Sequence, residues 1–356
     1  MQEFFIQHSY LIGLVSFALG WLGMPVVIRI AKAKGFVVRP NKRTSHEGEI
    51  PNIGGLHICF SFMLMYLLFE PHSQNHFFLI GLFLIMVIGF IDDVLVLRPI
   101  TKLIGETLAG IVLIGFADMR ITNLHGIFGI TELGIIPSYL ISLFVLLAII
   151  NAINLIDGVD GLASGLGIVY CLFFAMYFHF AGETTWSVFG IIMIGILTVF
   201  FVYNVFGKRD KIFMGDSGSL LVGYLLTAFV FRFCEVNAYQ LVPEALQMDA
   251  APSVAICVMT VPIFDTVRVI LTRIKQHRSP FDPDKNHIHH LLLRAGLNHI
   301  ETTCVLIAIS LAFIGFGLIG RNWNSWVLIS TDFAIATMMT LVLWRVINKK
   351  LYGTHD

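Results

Sequence analysis

Five aspartates lie at the ends of long apolar segments, each of which approaches the length needed to cross a bilayer. They are Asp92, Asp93, Asp157, Asp160 and Asp216. A carboxylate without a partner beside hydrocarbon costs on the order of 3 kcal/mol at a helix centre. The simplest compensation is a divalent cation together with a polyphosphate or a basic partner. The cluster therefore predicts an enzyme rather than a scaffold.

The first motif is an aspartate pair that ends an apolar run, Gly-Phe-Ile-Asp92-Asp93. Adjacent carboxylates repel each other, and negative charge at a helix C-terminus opposes the helix dipole. The pair therefore favours a metal-binding or phosphate-activating role over a solvated helix end. Lys102 opens the next apolar run on the same side, but taken alone it is an ordinary lysine of a basic loop.

The second motif spaces four polar residues at steps of three, Asn151, Asn154, Asp157 and Asp160. On a helix this spacing places them in one slowly rotating polar stripe. Glycines follow both aspartates and allow a backbone or a ligand to approach closely. A stripe with two carboxylates at a membrane edge is rarely structural, so it predicts a functional surface.

The third motif contains Asn204 and, after a short basic stretch, Phe213-Met-Gly-Asp216-Ser217 before another apolar run. Asp216 and Ser217 are placed to begin a helix, and either could cap it. Asp216 can both cap the helix and bind a ligand only if another group takes over the capping. Phe213 is either a core residue or a stacking surface for a base.

The fourth motif holds three histidines within four residues, His287, His289 and His290, flanked by Lys285 and Arg294. A zinc site is one interpretation, but the rings point in different directions on a helix and no cysteine is near. A phosphate-binding turn fits the flanking basic residues better. Histidines that cap a loop are the structural alternative.

Composition identifies the class of protein that positions these motifs. The chain has 356 residues, of which 57% are hydrophobic and 13% charged, whereas soluble domains carry about 25% charged residues. We predict an all-α, polytopic integral membrane protein with a single transmembrane domain over residues 1–356. A net charge of zero gives no indication of nucleic-acid binding. The predicted spans are 9–30, 54–69, 77–91, 103–117, 135–153, 162–181, 186–206, 219–233, 252–272, 302–320 and 326–348.

The distribution of basic residues supports eleven transmembrane helices. With the N-terminus outside and the C-terminus cytoplasmic, all but three of the 23 lysines and arginines fall on the inside. The exceptions are Arg120, Arg232 and Arg321. A cytoplasmic loop is predicted at about 273–301, and all four motifs fall on the cytoplasmic side.

Together, the four motifs resemble those of the polyprenyl-phosphate N-acetylhexosamine-1-phosphate transferase family. The order, spacing and sidedness of the motifs agree over nearly the whole chain. The stretch from His287 to Gly296 is most similar to the bacterial branch that uses undecaprenyl phosphate and UDP-GlcNAc. One departure is Val96, which stands where many relatives carry an acid or a lysine shortly after the aspartate pair.

The resemblance implies transfer of a sugar 1-phosphate from a UDP-sugar to a lipid phosphate at the inner face of the bacterial cytoplasmic membrane, with Mg²⁺ or Mn²⁺ as cofactor. The implied partners are UDP-GlcNAc, undecaprenyl phosphate, the lipid bilayer and a second copy of the chain in a homodimer. The resemblance implies that Asp216 and Asn154 bind the metal and that catalysis involves Asp92, Asp93, Asp157 and Lys102, with Lys102 on the pyrophosphate. It implies a uridine pocket formed by Asp160, Asn204 and Phe213. The loop over the sugar and pyrophosphate would contain His287, His289, His290 and Arg294.

Two alternatives remain open from the sequence. A related transferase that uses another UDP-HexNAc or UDP-MurNAc-pentapeptide would share nearly all these residues. A secondary transporter would place carboxylates near the midplane and often shows repeat symmetry. Glu106, Asp265 and Asp332 lie inside predicted spans and give that interpretation its support. The sequence does not distinguish direct transfer from a two-step route.

Overall fold

The computed structural model describes residues 9–38, 49–69, 75–279 and 286–352, which are almost entirely helical. The longer helices are α1 Ser9–Lys34, α2 Gly54–Phe69, α3 His76–Leu95, α4 Pro99–Ile111 with a π-helical continuation Val112–Phe116, α5 Ile135–Ile156, α6 Leu162–Phe180, α7 Thr184–Phe206, α8 Gly215–Ala238, α9 Ala251–Val258, α10 Thr260–Lys275, α11 Ile288–Ala295, α12 His299–Ile319 and α13 Ser325–Tyr352. Short 3-10 turns cover Ile127–Gly129 and Glu244–Leu246, and two strands, β1 Val37–Val38 and β2 Ile50–Pro51, form an antiparallel ribbon.

The described part of the chain has nine helices long and apolar enough to cross a membrane, or ten if the bent pair α9–α10 is one span. This confirms the predicted all-α, polytopic membrane protein. Nine of the eleven predicted spans coincide with these helices. The predicted span 54–69 is a helix of only 16 residues, so the count of eleven and the orientation remain predictions.

The predicted continuous span 252–272 was wrong in one respect, because the structure breaks it at Met259. Helices α9 and α10 meet there at an angle of 82°. Pro262 lies in the first turn of α10, where a missing N–H is tolerated. In a continuous helix its ring would clash with the carbonyl four residues earlier, that of Val258, which is the last residue of α9.

Helix α8 forms the centre of the bundle and is almost entirely buried. It packs most extensively against α3 and α5, and also against α2. The aspartate pair lies near the C-terminal end of α3, the second motif at the C-terminal end of α5, and Asp216 at the N-terminal end of α8. Packing of these three helices therefore brings the first three motifs to one end of the bundle.

The small β-ribbon fixes the segment that leads into α8. The Pro51 carbonyl of β2 accepts a hydrogen bond from the Phe213 N–H at 2.8 Å, and the Gly54 N–H donates to the Phe213 carbonyl at 3.1 Å. Gly215 begins α8 with φ at +69°. A Cβ at this glycine would collide with the Asn52 carbonyl and lie 2.5 Å from an Asp93 oxygen, so only glycine fits this turn.

Candidate active site

The ammonium group of Lys102 is the point on which the first three motifs converge. Its Nζ lies 2.6 Å from Asp216 Oδ2, 3.1 Å from Asp92 Oδ2 and 3.4 Å from Asn154 Oδ1. The four residues come from α4, α8, α3 and α5. One cation therefore neutralises two carboxylates that would otherwise repel each other across helix ends.

Asp93 performs a different task from its neighbour Asp92. Its Oδ1 accepts the backbone N–H of Asp216 at 2.8 Å, and its Oδ2 accepts that of Ser217 at 3.0 Å. These N–H groups belong to the first turn of α8, which has no partner for them within the helix. Asp93 thus caps α8 from another helix and leaves the Asp216 side chain free for Lys102.

Asn154 orients the Asp216 carboxylate. Its Nδ2 donates to Asp216 Oδ1 at 2.8 Å and to Ser219 Oγ at 2.9 Å. One turn earlier, Asn151 donates to the buried Glu106 at 2.7 Å, and Glu106 lies one turn after Lys102 on α4. Asn151 and Asn154 of α5 therefore connect α4 and α8 at the site.

The predicted helical stripe does not continue through Asp160. Helix α5 ends at Ile156, Asp157 is its C-cap, and the glycine-containing stretch up to Gly161 forms turns. Glycine has low helix propensity, and Gly161 adopts φ of +78°. Burial raises the pKa of Asp157 well above its usual range, and the negative charges of Asp216, Asp93 and Asp160 add to the effect.

A cavity of about 660 Å³ opens beside these groups. Its lining includes Asp157, Asp160, Lys211, Phe213 and Asp216. The volume is in the range of small-ligand sites. The aspartates of the second and third motifs therefore face one common space.

Asp160 is held by two basic side chains at the cavity. Its Oδ2 lies 2.6 Å from Lys211 Nζ and 3.1 Å from His299 Nδ1. Burial acts to raise the pKa of Asp160, but the hydrogen bonds from His299 and Lys211 outweigh it and hold the pKa below its usual range. Lys211 Nζ also lies 5.6 Å from the centre of the Phe213 ring, within cation–π distance.

Asn204 ties together the two loops that carry these residues. Its Oδ1 accepts the Gly161 N–H at 2.6 Å, and its Nδ2 donates to the Ile212 carbonyl at 2.8 Å. The side chain is buried and lines the cavity. Asn204 therefore sets the distance between the loop of Asp160 and the segment of Phe213.

The histidine segment, residues 287–290, lies against the loop that carries Asp160. A Cβ on Gly158 would lie 2.8 Å from His289 Nε2, so the ring packs directly on the loop. Burial lowers the pKa of His289 to about 3, and the charge of His290 acts in the same direction, so the His289 ring is neutral near pH 7. His287 and His289 are both buried, and their rings stack with centroids 5.7 Å apart.

Arg294 is not brought to this cavity. It lines a second cavity of about 530 Å³ together with Arg268 and Trp344. Arg294 follows His289 by five residues, which places the two side chains about 140° apart around a helix. Lys285, the other flanking basic residue in the prediction, lies outside the described residues.

Three residues of the site were not singled out from the sequence. Lys211 belongs to a basic stretch and His299 to the start of α12, and neither stands in a distinctive pattern. Ser219 joins Asn154 through an ordinary hydroxyl. The sequence offered one indication for Lys211. It lies two residues before Phe213, so a base stacked on that ring would lie near it.

The donor atoms around Lys102 suit a hard divalent cation. Asp216, Asp92 and Asn154 present only oxygen towards the ammonium group, and oxygen is the ligand type that Mg²⁺ prefers. The described residues contain no group of three or more His, Cys, Asp or Glu side chains arranged for a metal. An ion that takes one or two carboxylates and completes its coordination with water and substrate phosphates does not require such a group.

Comparison with known proteins agrees with this arrangement. The model of "Glycosyl transferase family 4" matches residues 76–233, which include the aspartate pair, Lys102, the second motif and Asp216. Curated relatives extend the similarity over most of the chain. The chain belongs to glycosyl transferase family 4, as its motifs predicted.

Three relatives illustrate the range of similarity. The undecaprenyl-phosphate alpha-N-acetylglucosaminyl 1-phosphate transferase of Escherichia coli (strain K12) is 31% identical over 293 residues, 80% of this chain and 76% of that protein. The protein of the same name from Yersinia pestis is 29% identical over 89% of this chain and 85% of its own length. The decaprenyl-phosphate N-acetylglucosaminephosphotransferase of Mycolicibacterium smegmatis is 32% identical over 340 residues, 88% of this chain and 82% of the relative.

Proposed function

We propose that the chain transfers GlcNAc-1-phosphate from UDP-GlcNAc to undecaprenyl phosphate, giving undecaprenyl-diphospho-GlcNAc and UMP. The convergence of Asp92, Asp216 and Asn154 on Lys102 beside the cavity carries the proposal. The names of the relatives support transfer of an N-acetylglucosamine phosphate group to a long-chain lipid phosphate. The reaction would take place at the cytoplasmic face of the bacterial inner membrane, as the first membrane step of O-antigen-type or common-antigen-type glycan synthesis.

The main obstacle to such a reaction is repulsion between two phosphorylated reactants. Lys102 would neutralise charge on the pyrophosphate, and phosphoryl transfer otherwise requires mainly alignment of the attacking and leaving oxygens. Asp92, which already contacts Lys102, would orient the lipid phosphate. That phosphate is mostly ionised near pH 7, so little base catalysis is needed.

Asp216 and Asn154 would hold Mg²⁺ or, alternatively, Mn²⁺. When bound, the cation would supply further neutralisation of the phosphate oxygens. Asn154 contributes by fixing the direction of the Asp216 carboxylate through its bond to Oδ1. Asp93 supports both by holding the first turn of α8 in place.

The uracil base would lie beside Phe213 in the cavity. Phe213 offers a ring for stacking, and Lys211 and Asp160 offer a donor and an acceptor close to that ring. The histidine segment, which packs on Gly158, would cover the sugar and pyrophosphate. The donor would enter from the cytosol, while the lipid phosphate would arrive laterally at headgroup depth.

One assay tests this function. The purified protein is incubated with undecaprenyl phosphate and Mg²⁺, and UMP release is compared for UDP-GlcNAc, UDP-GalNAc and UDP-MurNAc-pentapeptide. We expect release with UDP-GlcNAc in preference to the other donors, and loss of most turnover in Asp216→Asn. Preference for another donor would replace the proposed sugar, and near-normal turnover of Asp216→Asn over a range of Mg²⁺ would remove the metal assignment.

A further inference from the structure

Asp265 is a buried carboxylate that the proposed reaction does not use directly. It lies on α10 and is only 1% exposed. Its Oδ1 accepts from the Arg268 guanidinium at 2.6 Å and from the Ile288 N–H at 2.9 Å. Its Oδ2 lies 2.8 Å from His287 Nδ1. With a guanidinium and a backbone N–H both donating to it, the carboxyl group is ionised.

Asp265 and Arg268 form a clamp on the start of the histidine segment. Arg268 also donates to the Asn286 carbonyl. The two side chains, one helical turn apart on α10, therefore hold residues 286–288 in succession. The Ile288 N–H, which donates to Asp265, lies in the first turn of α11 and has no acceptor within that helix. The clamp thus fixes both the position and the direction of α11.

The contact with Oδ2 determines where His287 carries its proton. An ionised carboxylate has no hydrogen to donate, so Nδ1 must be the protonated ring nitrogen. In a neutral ring Nε2 then keeps a lone pair. His287 Nε2 is buried and has no hydrogen-bond partner among the residues that the structure describes. A buried acceptor without a partner costs about 1–3 kcal/mol, which indicates that a ligand supplies the missing donor.

We propose that Asp265 is a positioning residue that keeps the His287 proton on Nδ1, so that Nε2 accepts a hydrogen bond from a hydroxyl or amide group of the nucleotide sugar. The His289 ring stacks on the His287 ring and packs on Gly158. Gly158 lines the cavity that also contains Asp216. The identity of the donor rests on the proposed function, whereas the tautomer of His287 does not.

The two oxygens of Asp265 have separate partners, and this makes Asp265→Asn an informative variant. With its carbonyl oxygen in the place of Oδ1, asparagine keeps the bonds from Arg268 and Ile288. Its amide nitrogen then faces His287 Nδ1 and donates to it. The ring proton must move to Nε2, so the variant removes the lone pair with almost no change in shape.

Asp332→Asn is a matched control on α13. Asp332 is equally buried and accepts from the Thr260 hydroxyl at 2.9 and 3.0 Å. It neighbours α10, and among the residues that the structure describes it forms no hydrogen bond or ion pair with the histidine segment. Removal of its charge therefore tests the general cost of changing a buried carboxylate. We expect its turnover to stay within twofold of wild type.

The tautomer is measured by NMR of the full-length protein with isotope-labelled histidine. The chain has 13 histidines, and the His287 signals are assigned by their loss in His287→Gln. We expect the hydrogen on Nδ1 in the wild type and in Asp332→Asn, and on Nε2 in Asp265→Asn. Protonation of Nε2 in the wild type, either alone or together with Nδ1, or an unchanged pattern in Asp265→Asn, would overturn the inference.

Kinetics test the consequence of the tautomer. Loss of the partner that orients a metal-ligating histidine typically costs 10–100-fold. We expect a fall of about that size in kcat/KM for UDP-GlcNAc in Asp265→Asn. If Asp265 acts through His287, the double variant with His287→Gln is no worse than His287→Gln alone. Additive losses would instead show a purely structural role. A wild type inactive with every UDP-sugar would refute the proposed function, while the NMR result would still decide the role of Asp265.

Discussion

Asp93 Oδ1 accepts the backbone N–H of Asp216 at 2.8 Å, although the two residues come from different helices. The adjacent Ser217 N–H donates to the other oxygen of the same carboxylate. A side chain of α3 therefore satisfies the start of α8. Because Asp216 does not have to cap its own helix, its carboxylate is available to Lys102 and Asn154.

Asp93→Asn should lower the free energy of unfolding by about 1–3 kcal/mol, since one of the two N–H groups would then face an amide that donates rather than accepts. Turnover should fall as well, because Asp216 moves with the first turn of α8. Thermal unfolding of the detergent-purified protein measures the first effect. Asp118→Asn changes an exposed aspartate and serves as the control. Equal stability of Asp93→Asn and wild type would show that the cap contributes nothing.

Lys102→Gln should reduce turnover by about two orders of magnitude. The substitution removes the cation shared by Asp92, Asp216 and Asn154, and loss of one group that stabilises developing charge typically costs 10²–10³-fold in rate. Lys102→Arg keeps the charge but changes its shape, so intermediate turnover is expected. Measurement of UMP release at saturating donor and acceptor distinguishes these results, and full activity of Lys102→Gln would contradict the assigned role.

Asn204→Ala should raise the KM for UDP-GlcNAc more than it lowers kcat. The change removes the hydrogen bonds to Gly161 and Ile212, which join the Asp160 loop to the Phe213 segment. Leaving these buried backbone groups unpaired should also cost about 1–3 kcal/mol of stability. Steady-state kinetics and thermal unfolding give the two readouts. An effect on kcat alone would place Asn204 in the chemical step instead.

The Asp160 ion pairs predict a pH dependence of stability. The pKa of Asp160 is held below its usual 3.8 by His299 and Lys211 against the effect of burial. The contribution of its ionised form is therefore fully present above about pH 4 and is lost as the pH falls through the lowered pKa. Lys211→Gln should destabilise the protein near neutral pH, and the difference from wild type should shrink at lower pH.

Unfolding midpoints of wild type and Lys211→Gln, measured across this range, test that expectation. Lys208→Gln, at an exposed lysine of the same stretch, controls for loss of positive charge. A difference for Lys211→Gln that stays constant with pH would mean that Lys211 stabilises the protein by packing rather than through Asp160.

Hydropathy located the long helices because a lipid-facing segment must be apolar over a fixed length. It did not detect the break at Met259, since the chain remains apolar on both sides and Pro262 is the only local sign. It also could not show that α8 is the central helix. Both features depend on packing partners that are distant in sequence.

For the site, residue type and spacing singled out the aspartates, Asn154 and Asn204, and the structure places all of them at or beside the cavity or Lys102. Their roles in catalysis remain predictions. Residue type and spacing could not separate the tasks of Asp92 and Asp93, because the difference lies in which helix terminus each carboxylate meets. They also grouped Arg294 with the histidines, although the helix turns its side chain towards a second cavity. His299 was missed since only the tertiary fold brings α12 beside Asp160.

The cap on α8 makes two identical neighbours in the sequence vulnerable for different reasons. A change at Asp93 would destabilise the first turn of α8 and so reduce the amount of folded protein in the cell. Under the proposed function, a change at Asp92 would act mainly on the chemistry, through its contact with Lys102. Parallel mutational scans, one scored by abundance and one by glycolipid output, should therefore show Asp93 variants low in both scores and Asp92 variants low mainly in output.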